Sequence, residues 1–377
     1  MPTLIDQSGI AQAALGRMAD VREIAVDTEG ASFHRFVDRV YLLQLSTRER
    51  SLIVDPLSVS KEALSVLGAL LARRDVEVVF HDADYDVRLL QRDYGWQAAN
   101  VFDTRVAAQL LGIRAFGLAA LLERYFGVKL DKKHQRADWS MRPLPDAMLA
   151  YAEMDTRHLL DLKDRLKDEL RARGRESWAR EECDRLESTR WPDDDPSTAY
   201  MRIKGARDLN RRELAVFREL VAWRDGVARD LDRATFRVIG NEQLLELARV
   251  QPMDAKGLLS VKGVPRGIVD RRADAMLTAM QRGRAVPDDS LPKFPRGPRW
   301  DRDPKFDERV ALLKGARDAL ATALDLDPGV LCSRDRMEAV ARRNPQSRDE
   351  LSQIPELRKW QVDVLGGAFL KALTSNS

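Results

Sequence analysis

The sequence predicts an α/β domain, a mixed β-sheet flanked by helices, followed by two all-α helical domains. Three observations predict this: short apolar β-like runs interleaved with helical patterns up to about residue 130, a helical pattern from Pro145 onward, and a helical segment that occurs twice. At 377 residues the chain is longer than one ordinary domain, so two or three are expected, each large enough to bury a core.

The runs "EIAVDTE", "RVYLLQLS" and "SLIVD" follow one another closely, as hairpin-linked antiparallel strands do. "VEVVFH" and "NVFDT" are set apart by helix-length segments such as "KEALSVLGALLARR" and "YDVRLLQRDYG", and the two spacings together imply a mixed sheet with helices packed on it. Further on, "PDAMLAYAEMDTRHLLDLKDRL" reads as one long helix, with Pro145 suited to its first turn and Asp146 to its positive end. "RWPDDDPSTAY", around residues 190–200, is a polar, Pro-punctuated turn region. "AVPDDSLPKFPRGPRWDRDPK", residues 285–305, contains five prolines and reads as an extended linker. On either side of that linker the chain repeats itself at an offset of 93 residues: Ala248, Arg249 and Pro252 match Ala341, Arg342 and Pro345, and Leu258 and Val261 match Leu351 and Ile354. Two copies of one helical module explain this. The expected domains are residues 1–190, 200–284 and 306–377, with 285–305 as the linker.

A hydrophobic share of 44% with 33% charged residues describes a soluble globular protein and excludes disordered and membrane classes. No run approaches the roughly 18 apolar residues of a spanning helix. The first residues lack a basic stretch and are interrupted by Asp6 and Gln7, so they do not read as a signal peptide, and a cytoplasmic location is expected. Cys183 and Cys332 are the only cysteines, which suits a reducing compartment and excludes a disulfide framework or a cysteine zinc site. The net charge of +3 is unevenly spread: residues 1–199 carry −5, 200–284 carry +7, 285–305 carry +1 and 306–377 carry none. An acidic first half joined to a basic middle suggests cation binding in one place and polyanion binding in another, although solvated surfaces account for the same charges.

Three acidic features stand out. In "REIAVDTEGASFHR", Asp27 and Glu29 are two residues apart on a strand and therefore share a face, with Val26 and Thr28 on the other. Two close carboxylates repel unless a cation lies between them, and a hard divalent ion such as Mg²⁺ or Mn²⁺ is the natural one; a solvated strand end is the alternative. In "FHDADYDVRLL", Asp82, Asp84 and Asp86 crowd beside His81 after an apolar strand. Helix capping accounts for one of the three. On the late helix, Tyr151 and Asp155 are four residues apart on a mostly apolar face with Met148, where the carboxylate needs a partner, either a metal or an Arg or Lys.

In order and spacing, Asp-x-Glu on a first strand, Asp86 after His81, and Tyr-x3-Asp on a late helix resemble the DEDD superfamily of 3′–5′ exonucleases. The resemblance is strongest to the ribonuclease D family. It extends through "DTEGASFHRFVDRVYLLQLS", "FDTRVAAQLLG" and "DWSMRPLPDAMLAYAEMDTRHLLDL", roughly residues 20–165, and the repeated modules resemble HRDC domains. Where the histidine branch of the superfamily has His, this chain has Ala150; where the tyrosine branch has Tyr, it has Tyr151, and His158 lies on the wrong side of Asp155 to substitute.

The resemblance implies a ribonuclease H-like exonuclease domain followed by two HRDC domains. It implies that Asp27, Glu29, Asp86 and Asp155 hold two divalent cations, Mg²⁺ or Mn²⁺, and that Tyr151 orients the attacking water by hydrogen bonding, since a phenol is protonated at neutral pH. Thr28 and His81 are candidate substrate contacts, His81 with a structural role as the plainer reading. The implied activity is 3′–5′ exoribonuclease, releasing nucleoside 5′-monophosphates from structured RNAs such as tRNA precursors, with no membrane and no obligate protein partner. The basic 200–284 module is expected to hold RNA, and the neutral second module to serve packing or oligomerisation. A DNA exonuclease of the same fold and a catalytically inactive RNA-binding scaffold are the alternatives.

Overall fold

The computed structural model describes residues 3–131, 133–192, 195–295 and 303–374. Residues 193–194 of the expected turn region and 296–302 of the expected linker lie outside them. Six strands form one mixed sheet: β1 (Leu4–Ile5), β2 (Glu23–Glu29), β3 (Leu42–Ser46), β4 (Ser51–Val54), β5 (Glu77–Phe80) and β6 (Val101–Asp103). Their order is β1-β4-β3-β2-β5-β6. The three closely spaced runs pair antiparallel, β2 with β3 and β3 with β4, whereas β5 lies parallel to β2 and β6 parallel to β5. The five expected strands are all present. β1, two residues long and parallel to β4, is too short to leave a period-2 signature.

The central strands are buried on both faces, so helices cover both sides. α1 (Ser8–Gly16) and α2 (Lys61–Leu71) share a core cluster with β2, β4, β5 and α3 (Asp84–Tyr94) that includes Leu15, Ile24, Leu64, Phe80 and Leu89. Then come α4 (Thr104–Leu110), α5 (Leu118–Phe126), α6 (Asp146–Arg157), α7 (Leu159–Ala172) and α8 (Glu176–Glu187). The expected single long helix is thus two, broken at His158, whose φ of −108° and ψ of 1° are not helical. The break lets α6 lean on β3, where Thr156 bonds Ser46 Oγ at 2.7 Å, while α7 crosses the start of β2 and β5. There the buried Lys163 pairs with Glu23 and, at 3.0 Å, with Glu77. No glycine or proline marks this joint, so local sequence carries no trace of it.

Two helical modules follow. The first comprises α9 (Arg211–Asp230), α10 (Thr235–Val238), α11 (Asn241–Val250), α12 (Ala255–Ser260) and α13 (Arg266–Arg284); the second, α14 (Phe306–Ala323), α15 (Pro328–Leu331), α16 (Arg334–Arg343), α17 (Arg348–Ser352) and α18 (Lys359–Thr374). The offset of 93 extends to the backbone. α10 and α15, and the starts of α11 and α16, obey it, as do the left-handed residues Asp232 and Asp325 (φ 44° and 51°) and Gln251 and Asn344 (φ 48° and 44°).

The modules attach differently. The first has its own core around Phe217, Leu244 and Met276, which also receives Phe36 from the sheet domain. The second shares a continuous core with α4, α7 and α8, in which Leu110, Leu162 and Leu166 pack with Leu313, Leu331 and Phe369. Trp178 stacks on Trp360 at 4.7 Å, Glu182 accepts from the Trp360 indole at 3.0 Å, and Arg175 donates to Leu324 O at 2.6 Å. No helix among the described residues is long and apolar enough to cross a membrane.

Candidate active site

The C-terminal end of β2, between its neighbours β3 and β5, delivers Asp27 and Glu29 to the mouth of a cavity of about 650 Å³. Asp155, in the last turns of α6, faces them: one carboxylate oxygen from each of Asp27, Glu29 and Asp155 lies within 4.8 Å of the others. Asp86 enters from the first turn of α3 and is held beside this trio rather than within it. Its Oδ1 accepts the Thr28 N–H at 3.0 Å and the Thr28 hydroxyl at 2.5 Å. Strand alternation alone assigns Thr28 to the opposite face. Here α3, which follows β2's parallel neighbour β5, brings Asp86 alongside it, so Thr28 serves the acidic group and also lines the cavity.

Of the other acids in "FHDADYD", Asp84 is exposed and pairs with Arg88 one helical turn on, at 2.8 Å. Asp82 sits at φ 70° and pairs with Arg105. None of the three acids caps this helix, whose N-cap residue is Ala83; Asp103, at the end of β6, caps α4 through Arg105 N–H and reaches back to the turn before α3, accepting the N–H groups of Asp82 (3.1 Å) and Ala83 (2.8 Å). Local sequence assigns Asp103 no role; the strand order shows that it pins the turn presenting Asp86. His81 bonds Thr104 Oγ1 through Nδ1 at 2.9 Å, and burial, with Arg105 nearby, lowers its pKa to about 4, so it is neutral at physiological pH. It lines the cavity as an anchored, uncharged ring.

Tyr151, one turn before Asp155, also lines the cavity. Its ring is wedged between His134 (6.0 Å, edge-on) and the fully buried Trp139 (6.1 Å). The approach to α6 is fixed by Arg142, whose guanidinium forks onto the buried Asp55 at 2.6 and 2.7 Å and donates to Tyr41 O at 2.7 Å. Gln44, paired across the sheet with Asp27 and fully buried, lies with Nε2 3.5 Å from Glu29 Oε1. Sequence reasoning missed Gln44 because a single polar residue in an apolar strand has no periodic signature.

The electrostatics are one-sided. Among the described residues no Lys or Arg forms an ion pair with Asp27, Glu29, Asp86 or Asp155, which answers the salt-bridge alternative. Burial followed by the Asp155 charge raises Asp27 well above the usual carboxylate range; burial followed by Asp27, Asp155 and Asp86 does the same to Glu29. Burial and Asp27 raise Asp86, and burial and Asp86 bring Asp155 to about 7. Burial and the same carboxylates push the Tyr151 phenol up as well. An all-oxygen donor set that repels itself suits hard divalent cations, whose charge would return these acids to their ionised form.

Residues 2–171 match the model of the 3′–5′ exonuclease family, and residues 213–280 and 306–373 each match that of the HRDC domain. Fold, acidic cavity and matches together define a 3′–5′ exonuclease with two HRDC domains. Ribonuclease D of Acidiphilium cryptum is 30% identical over 372 residues, 98% of this chain and 92% of that one. The crystal structure of Escherichia coli RNase D, described as an exoribonuclease involved in structured RNA processing, superposes with a TM-score of 0.75 at 25% identity over 100% of this chain and 99% of that one. The catalytic core of RRP6 from Trypanosoma brucei gives 0.66 at 32% identity, over 75% and 79%. The chain belongs to the ribonuclease D family and is a 3′–5′ exoribonuclease, of a class that uses divalent metal.

Proposed function

We propose that this enzyme trims the 3′ ends of structured RNA in the cytoplasm, tRNA precursors among them, releasing nucleoside 5′-monophosphates. In this reading Asp27, Glu29, Asp86 and Asp155 hold two divalent cations, Mg²⁺ or Mn²⁺, and residues 1–190, 200–284 and 306–377 are the functional domains. The observation that carries it is the acidic group itself: partly buried, mutually repelling and, among the described residues, without a protein cation, it costs stability unless metal fills it. Once bound, the cations supply positive charge toward the scissile phosphate and acidify the attacking water. Thr28 keeps one Asp86 oxygen engaged and so orients its carboxylate. Tyr151, kept protonated by its surroundings, donates a hydrogen bond that positions the water rather than removing its proton. That water gives up a proton to solvent as its oxygen attacks phosphorus, the bond to the 3′ oxygen breaks, that oxygen takes up a proton from solvent, and the shortened RNA retains a 3′ hydroxyl.

The test is hydrolysis of 3′-labelled RNA and DNA with Mg²⁺, Mn²⁺ or chelator. Release of single ribonucleotides that stops in chelator supports the proposal; equal rates on DNA, or release in chelator, sink it. Tyr151→Phe is expected to lower kcat about 100-fold with little change in KM, the size of one lost positioning contact. A kcat within a few-fold of wild type would remove Tyr151 from the chemistry.

For RNA binding, several basic residues of the first module are engaged within it: Arg212 donates to Arg284 O at 2.8 Å and pairs with Asp288 at 2.6 Å, and Arg224 is buried against Asn241. Lys204 and Arg233 remain exposed. Replacing both by Gln is expected to reduce the slope of log K against log[salt] by about 2, one per lost phosphate contact. An unchanged slope would exclude these two residues from the RNA path.

A further inference from the structure

Beside the catalytic cavity lies an aromatic cluster that the acidic group does not use. Phe33, in the turn after β2, is 47% exposed, and Phe236, on α10 of the first module, is 54% exposed. Their rings meet edge-to-face, centroids 6.2 Å apart and planes at 75°. The Arg136 guanidinium stacks on Phe33 at 5.4 Å and forms no ion pair among the described residues. The cluster lies near the reaction centre without lining its cavity: Phe33 is four residues beyond Glu29, so their Cα atoms lie within about 14 Å, and Arg136 follows Gln135, which lines the cavity.

The turn that carries Phe33 is held from both sides. His34 O accepts the Ala234 N–H at 3.2 Å, the His34 ring lies 3.0 Å from Arg136 O and 3.2 Å from Arg237 Nη2, and Arg35 pairs with Asp232 at 3.2 Å. A rigid, half-exposed pair of rings edged by cations is poorly suited to an apolar protein partner and well suited to nucleobases, which stack on aromatic faces while arginines meet the phosphates.

The second module provides an internal control. It builds the same corner 93 residues on, with Asp325 for Asp232 and α15 for α10, but has Gly329 where the first has Phe236 and Val330 where the first has Arg237. The corner folds without the aromatic ring or the cation, so neither is there for the corner's sake.

We propose that Phe33, Phe236 and Arg136 form a stacking platform for the bases of a single-stranded RNA 3′ tail entering the cavity. The proposal rests on the exoribonuclease reading, and its test separates the two. Binding of a 5′-fluorescein oligoadenylate to the full chain in chelator is followed by anisotropy, and hydrolysis of the same oligomer and of a diribonucleotide is measured with Mg²⁺. Phe33→Leu and Phe236→Leu, which keep apolar volume but lose the ring, are expected to weaken oligomer binding about tenfold without altering its salt slope. Arg136→Gln should lower that slope by about 1. In the Leu variants kcat/KM for the oligomer falls about tenfold more than that for the dinucleotide, and Phe33→Tyr restores it. Equal losses on both substrates with a lowered Tm would reduce the cluster to a staple between domains. Unaltered oligomer affinity would overturn the platform too and leave the surface to a protein. If wild type hydrolyses neither substrate, the exoribonuclease reading fails while the binding arm still decides the platform.

Discussion

Asp27→Asn is expected to lower hydrolysis about 10⁴-fold, on the scale of losing a central catalytic group, while making the metal-free protein more stable at pH 8. The stability effect follows from proton linkage. In the folded state the acidic group holds its protons to higher pH than in the unfolded chain, where carboxyls titrate near ~3.9; Asp155 does so up to about 7. The folded state therefore binds more protons across that window, and the stability of the metal-free protein falls as pH rises through it. An amide at position 27 removes one titration and relieves Glu29 and Asp86, both of which feel its charge. Thermal melts in chelator should decline from pH 5 to 8 in wild type and less steeply in the variant, and Mn²⁺ should raise the wild-type Tm far more. A flat wild-type profile, or an Asp27→Asn enzyme within tenfold of wild type, would contradict the picture of a self-repelling metal cage.

The largest structural effect is expected at Gly112. Its φ is +76°, and a Cβ there would lie 2.0 Å from the backbone carbonyl oxygen of Asp325 in the second module. Gly112→Ala therefore adds a collision between two backbones to the left-handed strain of about 1–2 kcal/mol. Gly95, at the end of α3, is the matched control, with φ +73° and open space where a Cβ would go. Gly95→Ala should lower Tm by roughly 2–4 °C, the usual shift per kcal/mol in domains of this size, and Gly112→Ala by at least twice that. Amide exchange in Gly112→Ala should rise along α14 and α18 while α9 and α13 stay protected. Matching Tm losses in the two variants would mean that the second module yields at no cost.

Much of this was legible from residue spacing, and what was not has physical reasons. Alternating and continuous apolar runs marked five strands, and the spacing between them told antiparallel from parallel, because only a crossover needs a helix's length of chain. Asp27, Glu29, Asp86, Tyr151 and Asp155 belonged together only through their resemblance to the exonuclease pattern, since each cluster alone had a plainer reading, and the chain places all five around one cavity. The break at His158 was invisible because every residue near it is tolerated in a helix and tertiary contacts at Thr156 and Lys163 decide the bend. The role of Asp103 was hidden for a similar reason: its acceptors serve Asp82 and Ala83, some 20 residues away, across two adjacent strands. Phe33 and Phe236 meet across about 200 residues, and neither local segment signals the other.

The core that the sheet domain shares with the second module bears on how the chain is made. Leu110, Leu162 and Leu166 need Leu313, Leu331 and Phe369 to complete their surroundings, and translation supplies those partners later. At roughly 5–20 residues per second, the apolar flank of α4 and α7 waits on the order of 10 s or more for its cover. The basic first module, emerging in between with a core of its own, can fold during that interval. The nascent chain thus carries its most basic segment, residues 200–284, as a folded unit before its catalytic domain is fully closed.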